Sequence, residues 1–509
     1  MLAKIFSGAT VGLDSIPIEV EVDVAASGLP SFTIVGLPGK AVEESKERVR
    51  SAIKNSGAQF PDRKITVNLA PADLPKEGPA YDLPIALGLL IASGQIQADL
   101  TEALVFGELS LDGSLRHTNG ALPLVLLTRE RNFKQVFLPV VNAKEAAIVG
   151  GVKIYPVRTI KHLIQHLTNL KEIKPHRHLK FNTLKSSVDF MFDMLDVVGQ
   201  EHAKRALEIA AAGGHNLFMH GVPGAGKTML ARAFASILPQ LSKEEALEVT
   251  KIYSISGNIP PGESIIKHRP FRSPHHTSSR IGLIGGGTKP KPGEISLAHR
   301  GVLFLDEFPE FPRHVLESLR QPMEDGIVQI SRAVGTMQYP TKFTLVAAAN
   351  PCPCGYYGSK KKPCTCLPGQ VSRYRKKLSG PILDRIDLHV EVPEVKLKKL
   401  TSDKPTGEKS KTIRQRVQAA RMQQRVRFKG TNIITNAEMS SKQVRKFCLL
   451  DPECKSLLTS ATAQMGLTAR SYFKVINVAR TIADLAGKEE IATKHLAEAL
   501  QYRPQEEII

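Results

Sequence analysis

Two apolar spacings alternate along the chain. In IPIEVEVDVAA and SFTIVGLP, β-branched and apolar residues fall at every second position, which predicts strands. GKAVEESKERVRSAIKNSG spaces its apolar residues by three and four, which predicts an amphipathic helix ending at Gly57. KITVNLA reads as a further strand, YDLPIALGLLIASG as a helix, and ALVFGELSLDGSL as a hairpin turning at Asp112-Gly113. Residues 1–170 therefore read as one α/β domain. Residues 171–190, KEIKPHRHLKFNTLKSSVDF, are basic and without clear period, which predicts a linker. A second α/β unit is expected over 191–395. The polar stretch EVPEVKLKKLTSDKPTGEKSKT then reads as an exposed connection, and the helical pattern from Ile413 onward places a small all-α domain in 396–509. No repeat of solenoid length is present.

Composition adds little for a chain of 509 residues with 42% hydrophobic and 23% charged residues, but the net charge of +20 changes the picture. Such a basic excess favours a polyanionic partner, because lysine and arginine displace the counterions of phosphates. The alternative is a basic surface that serves solubility. The N-terminus, MLAKIFSGATVGLDS, lacks the apolar core of a signal peptide. The run IALGLLIA, from Ile85 to Ala92, falls far short of the ~20 apolar residues a membrane span needs. A cytoplasmic protein without a membrane partner is expected. In a reducing compartment, clustered thiols suggest metal rather than disulfides.

The clearest chemistry lies at Gly221, Val222, Pro223, Gly224, Ala225, Gly226, Lys227 and Thr228, which match GxxxxGK[ST] in full. NLFMH before them reads as a strand and MLARAFASIL after them as a helix, the context a phosphate loop needs. Backbone N–H groups would close around the phosphates of ATP, Lys227 would reach the β- and γ-phosphates, and Thr228 would hold Mg²⁺. GLPGKAV at Gly36 lacks the following Ser or Thr and reads as an ordinary strand-to-helix turn. GVLFLDE is a buried strand ending in Asp306, suited to the Mg²⁺ shell, and Glu307, suited to polarising the attacking water. FTLVAAANP ends in Asn350, which can orient that water. Arg385, in LDRID, suits an arginine finger that completes a neighbour's site; the alternative is a local pair with Asp384 or Asp387. Arg470 opens an amphipathic helix and reads either as a lid contact to nucleotide or as a surface residue.

Four of six cysteines, Cys352, Cys354, Cys364 and Cys366, form CxC-x9-CxC directly after Asn350. Tetrahedral Zn²⁺ suits four thiolates; reduced free thiols and a redox-labile pair are the alternatives. Lys360, Lys361 and Lys362 between the pairs, with Arg373 and Arg375 in SRYRKK after them, would supply a basic tip for DNA. Tyr356 and Tyr357 fit either base stacking or packing. Cys448 and Cys454 sit in a helical region and read as packing residues.

The phosphate loop, the LDE strand end, the Asn350 strand end, LDRID and LTARSY resemble AAA+ ATPases in content and order. RPFRSPHHTSS, GEISLAHRGVLFLDE, LRQPMEDG and ANPCPCG resemble the magnesium-chelatase-like branch, and nearly the whole chain resembles its YifB/ComM type. The resemblance implies a homo-hexameric ring with ATP at subunit boundaries and an insertion in the second helix of the ATPase core, about Ile252 to Gly287. It also implies branch migration of DNA during natural transformation. In GLIGGGTKPKPGE, which then fits a pore lining, Lys289 and Lys291 are the expected DNA contacts. Arg272, His275 and His276 fit either DNA or a buried turn. PKEGPAYD resembles the nucleophile segment of Lon proteases with Ala80 at the serine position, and Leu122 stands where Lon carries its lysine. A Lon-protease-like domain of the ribosomal-S5 domain 2 type, without the catalytic dyad, is therefore implied, followed by an AAA+ P-loop core and a C-terminal helical lid.

Overall fold

The computed structural model describes residues 2–181, 190–260, 263–287, 290–332, 335–359, 362–378, 380–395 and 407–504. Lys289, Lys360 and Lys361 lie outside the described residues, as do parts of the expected linker and of the polar connection after Pro393. The chain divides into two compact units. The first comprises Met1–Ser186 with Lys243–Ile266, and the second Ser187–Ser242 with Lys267–Ile509.

In the first unit, β1 (Leu2–Val11), β2 (Asp14–Val24), β3 (Ser31–Val35), β4 (Lys64–Ala70), β5 (Ala103–Val105), β8 (Gln135–Pro139) and β9 (Lys153–Val157) form the sheet. Among the described residues it has seven strands in the order β3-β4-β2-β1-β5-β8-β9. The short pair β6 (Glu108–Leu109) and β7 (Leu115–Arg116) closes the hairpin expected around Asp112-Gly113. β1 pairs antiparallel with β2 and parallel with β5, so a mixed sheet carries helices on both faces. Ile5, Val22 and Val67 share one core with the helix Asp82–Ala92, whereas Leu104 and Val136 share another with the helix Ala121–Glu130. The expected helix after Gly39 is two, Lys40–Glu43 and Ser45–Asn55, with Glu44 between them.

The linker expected over 171–190 begins later. His176 N–H donates to the Ile154 carbonyl on β9, Leu179 N–H donates to the Ala147 carbonyl, and Ile173 is buried, so this strap belongs to the first unit. Nor is 191–395 one compact piece. The helix Lys243–Ser256 buries Val249, Ile252 and Tyr253 in the first unit, and its Ser254 carbonyl accepts the Gly120 N–H at 3.0 Å. The insertion expected over Ile252–Gly287 therefore straddles both units. At the two Lon positions, Ala80 offers no hydroxyl, and Leu122 is buried with its N–H donating to Glu145 Oε1.

In the second unit, β10 (Leu217–His220), β11 (Phe271–Arg272), β14 (Val302–Leu305), β17 (Thr344–Ala349) and β18 (Leu388–Glu391) form a parallel sheet in the order β11-β14-β17-β10-β18. Every residue of β14 and β17 is buried, as continuous apolar runs in a parallel sheet require. Two ribbons lie outside it: β12 (Gly285–Gly286) with β13 (Lys291–Pro292), and β15 (Ile327–Arg332) with β16 (Gly335–Pro340). The chain is helical from Ser410 onward, and these helices fall in the same compact unit as the parallel sheet. Ile413, Val417 and Val475 share a core with Leu217 and Ala231 of the parallel-sheet unit, and Cys448 and Cys454 are buried there as packing residues.

Candidate active site

The strand β10 runs into Gly221–Gly226, and the helix Lys227–Ile237 follows. Gly226 has φ +94° and Gly224 φ +77°, left-handed values that a side chain rarely adopts, so glycine lets the loop curl back onto the helix N-terminus. Nothing lies within 4 Å of where a Cβ would stand at either position, which leaves the loop's mouth open. Lys227 Nζ donates to the Gly221 carbonyl at 2.6 Å, to the Val222 carbonyl at 3.0 Å and to Asn350 Oδ1 at 3.1 Å. Burial pushes this ammonium down to about 8, against the pull of Asp306. A cation held on loop carbonyls and short of charge partners is suited to receive phosphate oxygens.

Strand order brings the carboxylates alongside. β14 lies beside β17, which lies beside β10, so the strand ends carrying Asp306, Asn350 and the phosphate loop meet on one edge. Thr228 Oγ1 donates to Asp306 Oδ2 at 2.7 Å. This hydroxyl and carboxylate are hard oxygen donors of the kind Mg²⁺ takes, beside the phosphate loop, so the residues fit the ion. Glu307 has φ +51°, unusual for a residue with a side chain, and this turn presents a half-exposed carboxylate. His276 Nδ1 stands 3.1 Å from Glu307 Oε2. Of the two readings left open for the neighbouring residues, Arg272 has a structural partner, a bidentate pair with Glu294 at 2.6 and 2.7 Å. His275 bonds Thr277, and His276 faces the site.

The arginines lie elsewhere. Arg385 Nη2 pairs with Glu324 Oε2 at 2.8 Å, so its partner is neither Asp384 nor Asp387. Arg470 pairs with the other oxygen of the same carboxylate. Burial alone would raise the Glu324 carboxyl, but the two guanidinium groups outweigh it and hold it below the usual carboxylate range. Among the described residues, Arg470 makes no bond to the phosphate loop of its own chain, and it meets Arg385 at Glu324. Glu324, in the helix Arg320–Asp325, is the residue that sequence reasoning missed: LRQPMEDG carries no signal that two distant arginines converge on it. Asp387 instead binds Lys474 Nζ at 2.9 Å and accepts the Asn216 N–H at 2.8 Å, tying β18 to the helix Ala469–Leu485.

The four clustered thiols meet as the spacing suggested. Cys352 Sγ lies 3.4 Å from Cys354 Sγ and 3.7 Å from Cys364 Sγ, Cys354 and Cys364 are 3.5 Å apart, and the ligand atoms of all four residues lie within 4.8 Å of one another. Backbone N–H groups of Tyr356 and Thr365 bring the Cys354 thiol down to about 5. The Cys366 N–H pulls Cys364 down as well, but burial and the Cys354 and Cys352 sulfurs push it up to about 12. The two tyrosines carry cations on their rings: Lys362 Nζ is 5.2 Å from the Tyr356 centroid, and the Arg375 guanidinium is 5.2 Å from that of Tyr357. Lys291 and Arg373 are exposed.

A five-stranded parallel sheet, a complete phosphate loop and an acidic strand end beside it define an AAA+ P-loop ATPase domain. The comparisons agree. Residues 193–400 match the family model "Magnesium chelatase, subunit ChlI", residues 20–142 match "Subunit ChlI of Mg-chelatase", and residues 407–503 match "Magnesium chelatase, subunit ChlI C-terminal". The competence protein ComM of Haemophilus influenzae is 43% identical over 504 residues, 99% of this chain and 97% of that protein. The Escherichia coli protein YifB is 44% identical over 506 residues, with the same coverage of 99% and 97%. Lon protease 2 of Bacillus subtilis is 25% identical over 167 residues, 30% of each chain. The chain belongs to the YifB/ComM family of magnesium-chelatase-like AAA+ proteins.

Proposed function

We propose that the chain is an ATP-driven DNA motor that assembles as a homo-hexameric ring and promotes branch migration during natural transformation and recombination. One observation carries the ring. Arg385 and Arg470 share Glu324 and, among the described residues, hold no bond to the phosphate loop of their own chain. Two guanidinium groups gathered on one carboxylate fit a cationic pair offered to the phosphates of a neighbouring subunit. A guanidinium supplied in this way is worth about 10³–10⁵ in rate. The net charge of +20 and the likeness to a protein named for competence support DNA as the polymer. Lys291, Lys362, Arg373 and Arg375 are the described candidates for DNA contacts.

In this reading Lys227 holds the β- and γ-phosphates, and Thr228 and Asp306 hold Mg²⁺, which neutralises charge on the phosphate oxygens when bound. The Glu307 carboxylate accepts a hydrogen bond from the attacking water, and Asn350 orients it. The first unit retains a Lon-protease-like fold without its dyad and serves assembly or DNA handling. The four thiols of 352–366 hold Zn²⁺. The motor acts in the cytoplasm, where chromosomal DNA lies.

The test is the rate of ATP hydrolysis with and without forked and four-way junction DNA, read alongside strand displacement. Branched DNA is expected to raise the rate and to be unwound, and Glu307→Gln to bind ATP without turning it over. ATP binding without turnover on any DNA would leave a scaffold. Metal insertion into a tetrapyrrole with partner subunits would replace the DNA reading by a chelatase-like one.

A further inference from the structure

We propose that Cys352, Cys354, Cys364 and Cys366 form a structural tetrathiolate zinc site whose turn braces Asn350 and the phosphate loop, so that metal occupancy sets the rate of ATP turnover. This rests on the ATPase reading for its consequence, though not for the metal itself.

Geometry points to the metal. Four thiolates at about 2.3 Å from a tetrahedral Zn²⁺ stand about 3.8 Å apart. The sulfur separations of 3.4, 3.5 and 3.7 Å fit that arrangement and are far beyond a disulfide bond of about 2.05 Å. Backbone N–H groups also point at the sulfurs: Tyr357 to Cys352 at 3.3 Å, Cys354 to Cys366 at 3.4 Å, and Cys366 to Cys364 at 3.4 Å. Such donors suit sulfur that carries charge. On binding, the thiols release their protons to water and each sulfur donates an electron pair to the cation.

The brace follows from what the segment touches. Cys352 is fully buried two residues after Asn350, whose Oδ1 accepts from Lys227. Gly355, at φ +86°, closes the first turn; a Cβ there would stand 2.5 Å from Pro223 Cγ and 2.8 Å from its Cδ. The turn thus rests on the third residue of the phosphate loop, and only glycine allows that approach. The helix Pro368–Arg375 that follows the segment brings Tyr374 to the cavity that Asn350 also lines. The two arms of the cysteine segment therefore flank Asn350 and press on the phosphate loop.

Apart from the Ser359–Glu394 bond and the cations on Tyr356 and Tyr357, the segment is held by few buried groups. Among its described residues, the segment between Pro351 and Leu367 has neither helix nor strand, and only Cys352 and Gly355 are buried. A cavity of about 270 Å³ is lined by Pro351, Tyr357 and Gly358 of the segment together with Tyr374 and with His220 and His389 of the sheet. A segment with so few buried residues gains its shape from a cross-link, and the cation supplies it.

The experiment begins with the full-length protein purified without chelator, its zinc measured by elemental analysis and its free thiols by titration. About one zinc per chain is expected, lost in a Cys354→Ser/Cys366→Ser variant. Cobalt substitution should give the visible absorption of a tetrahedral tetrathiolate. Metal-free protein with four freely titratable cluster thiols and full turnover would overturn the site. Stripping the metal, or Gly355→Ala with the metal retained, should lower turnover by about 10- to 100-fold, the loss that a displacement on the order of 1 Å can cause. Binding of a fluorescent ATP analogue should persist in both. Turnover unchanged in metal-stripped protein would overturn the brace while leaving the metal. A wild-type protein that holds zinc yet hydrolyses no ATP on any DNA would instead refute the ATPase reading, and the brace with it.

Discussion

Replacing Glu324 by glutamine removes the charge that Arg385 and Arg470 share and keeps the shape of the side chain. With the carboxylate gone, two guanidinium groups about 6 Å apart repel by about 3 kcal/mol at an effective dielectric constant of about 20. Solvent reduces this, because Glu324 is 38% and Arg470 41% exposed, while Arg385 at 14% keeps more of it. A net cost of about 1–2 kcal/mol is left after that screening. Spent on holding the two arginines in register for a neighbour's γ-phosphate, this slows turnover by about 5- to 30-fold. Steady-state ATP hydrolysis should show a lower kcat for Glu324→Gln with little change in KM, because Lys227 still binds the phosphates. Glu324→Asp should recover part of the loss. The sharper assay mixes subunits. A Glu307→Gln subunit cannot use its own site but offers intact arginines, so adding it to Glu324→Gln protein should raise the rate per competent site. Wild-type kcat in Glu324→Gln, or a loss that mixing does not relieve, would refute the idea that this carboxylate keeps the pair ready for a neighbour.

Two further outcomes concern stability. Asp387→Asn leaves the buried ammonium of Lys474 without its counter-charge, and breaking such a pair costs about 3–5 kcal/mol; urea unfolding of the nucleotide-free protein should show this, and a change below about 1 kcal/mol would mean the pair is not buried as described. His215 is pushed by burial down to about 4 and His389 down to about 3 from an ordinary 6.5. Asp387 opposes the shift of both, and Lys474 adds to it. Since each folded value is depressed, the unfolded chain binds more protons between them and 6.5, so the stability these histidines contribute is full above about 6.5 and lost as pH falls toward 4. Unfolding followed at pH 7.5, 6.5, 5.5 and 4.5 should show the decline, and His389→Gln should flatten it; an equally steep decline in that variant would place the effect elsewhere.

Elements whose register is set locally were legible in the sequence. KITVNLA became Lys64–Ala70, and the runs flanking GVPGAGKT became the strand and helix the motif needs. The first strand was harder, because Ser7 and Gly8 interrupt its alternation at the centre of the sheet, where both faces are covered. The ribbon of Ile327–Arg332 and Gly335–Pro340 directly follows a helix, and its local pattern does not announce it. At the site, the phosphate loop and Asp306 carry their meaning in a few adjacent residues. Glu324 does not, since its role arises only when residues 146 positions apart meet. The helix Lys243–Ser256 shows the same limit in reverse: its existence is local, but the unit in which it buries Val249 and Ile252 is decided by residues more than a hundred positions earlier.

That excursion makes the polypeptide a braid rather than beads on a string. The backbone leaves the nucleotide-binding half after Ser242 and rejoins it at Lys267, shortly before the strand that leads to His276. Trimming away the first 170 residues would not yield a tidy catalytic fragment. It would strip the cover from Ile252 and Tyr253 and leave a sticky helix dangling between Lys227 and Glu307, so a truncated protein that clumps or idles would be reporting on the cut and not on the chemistry.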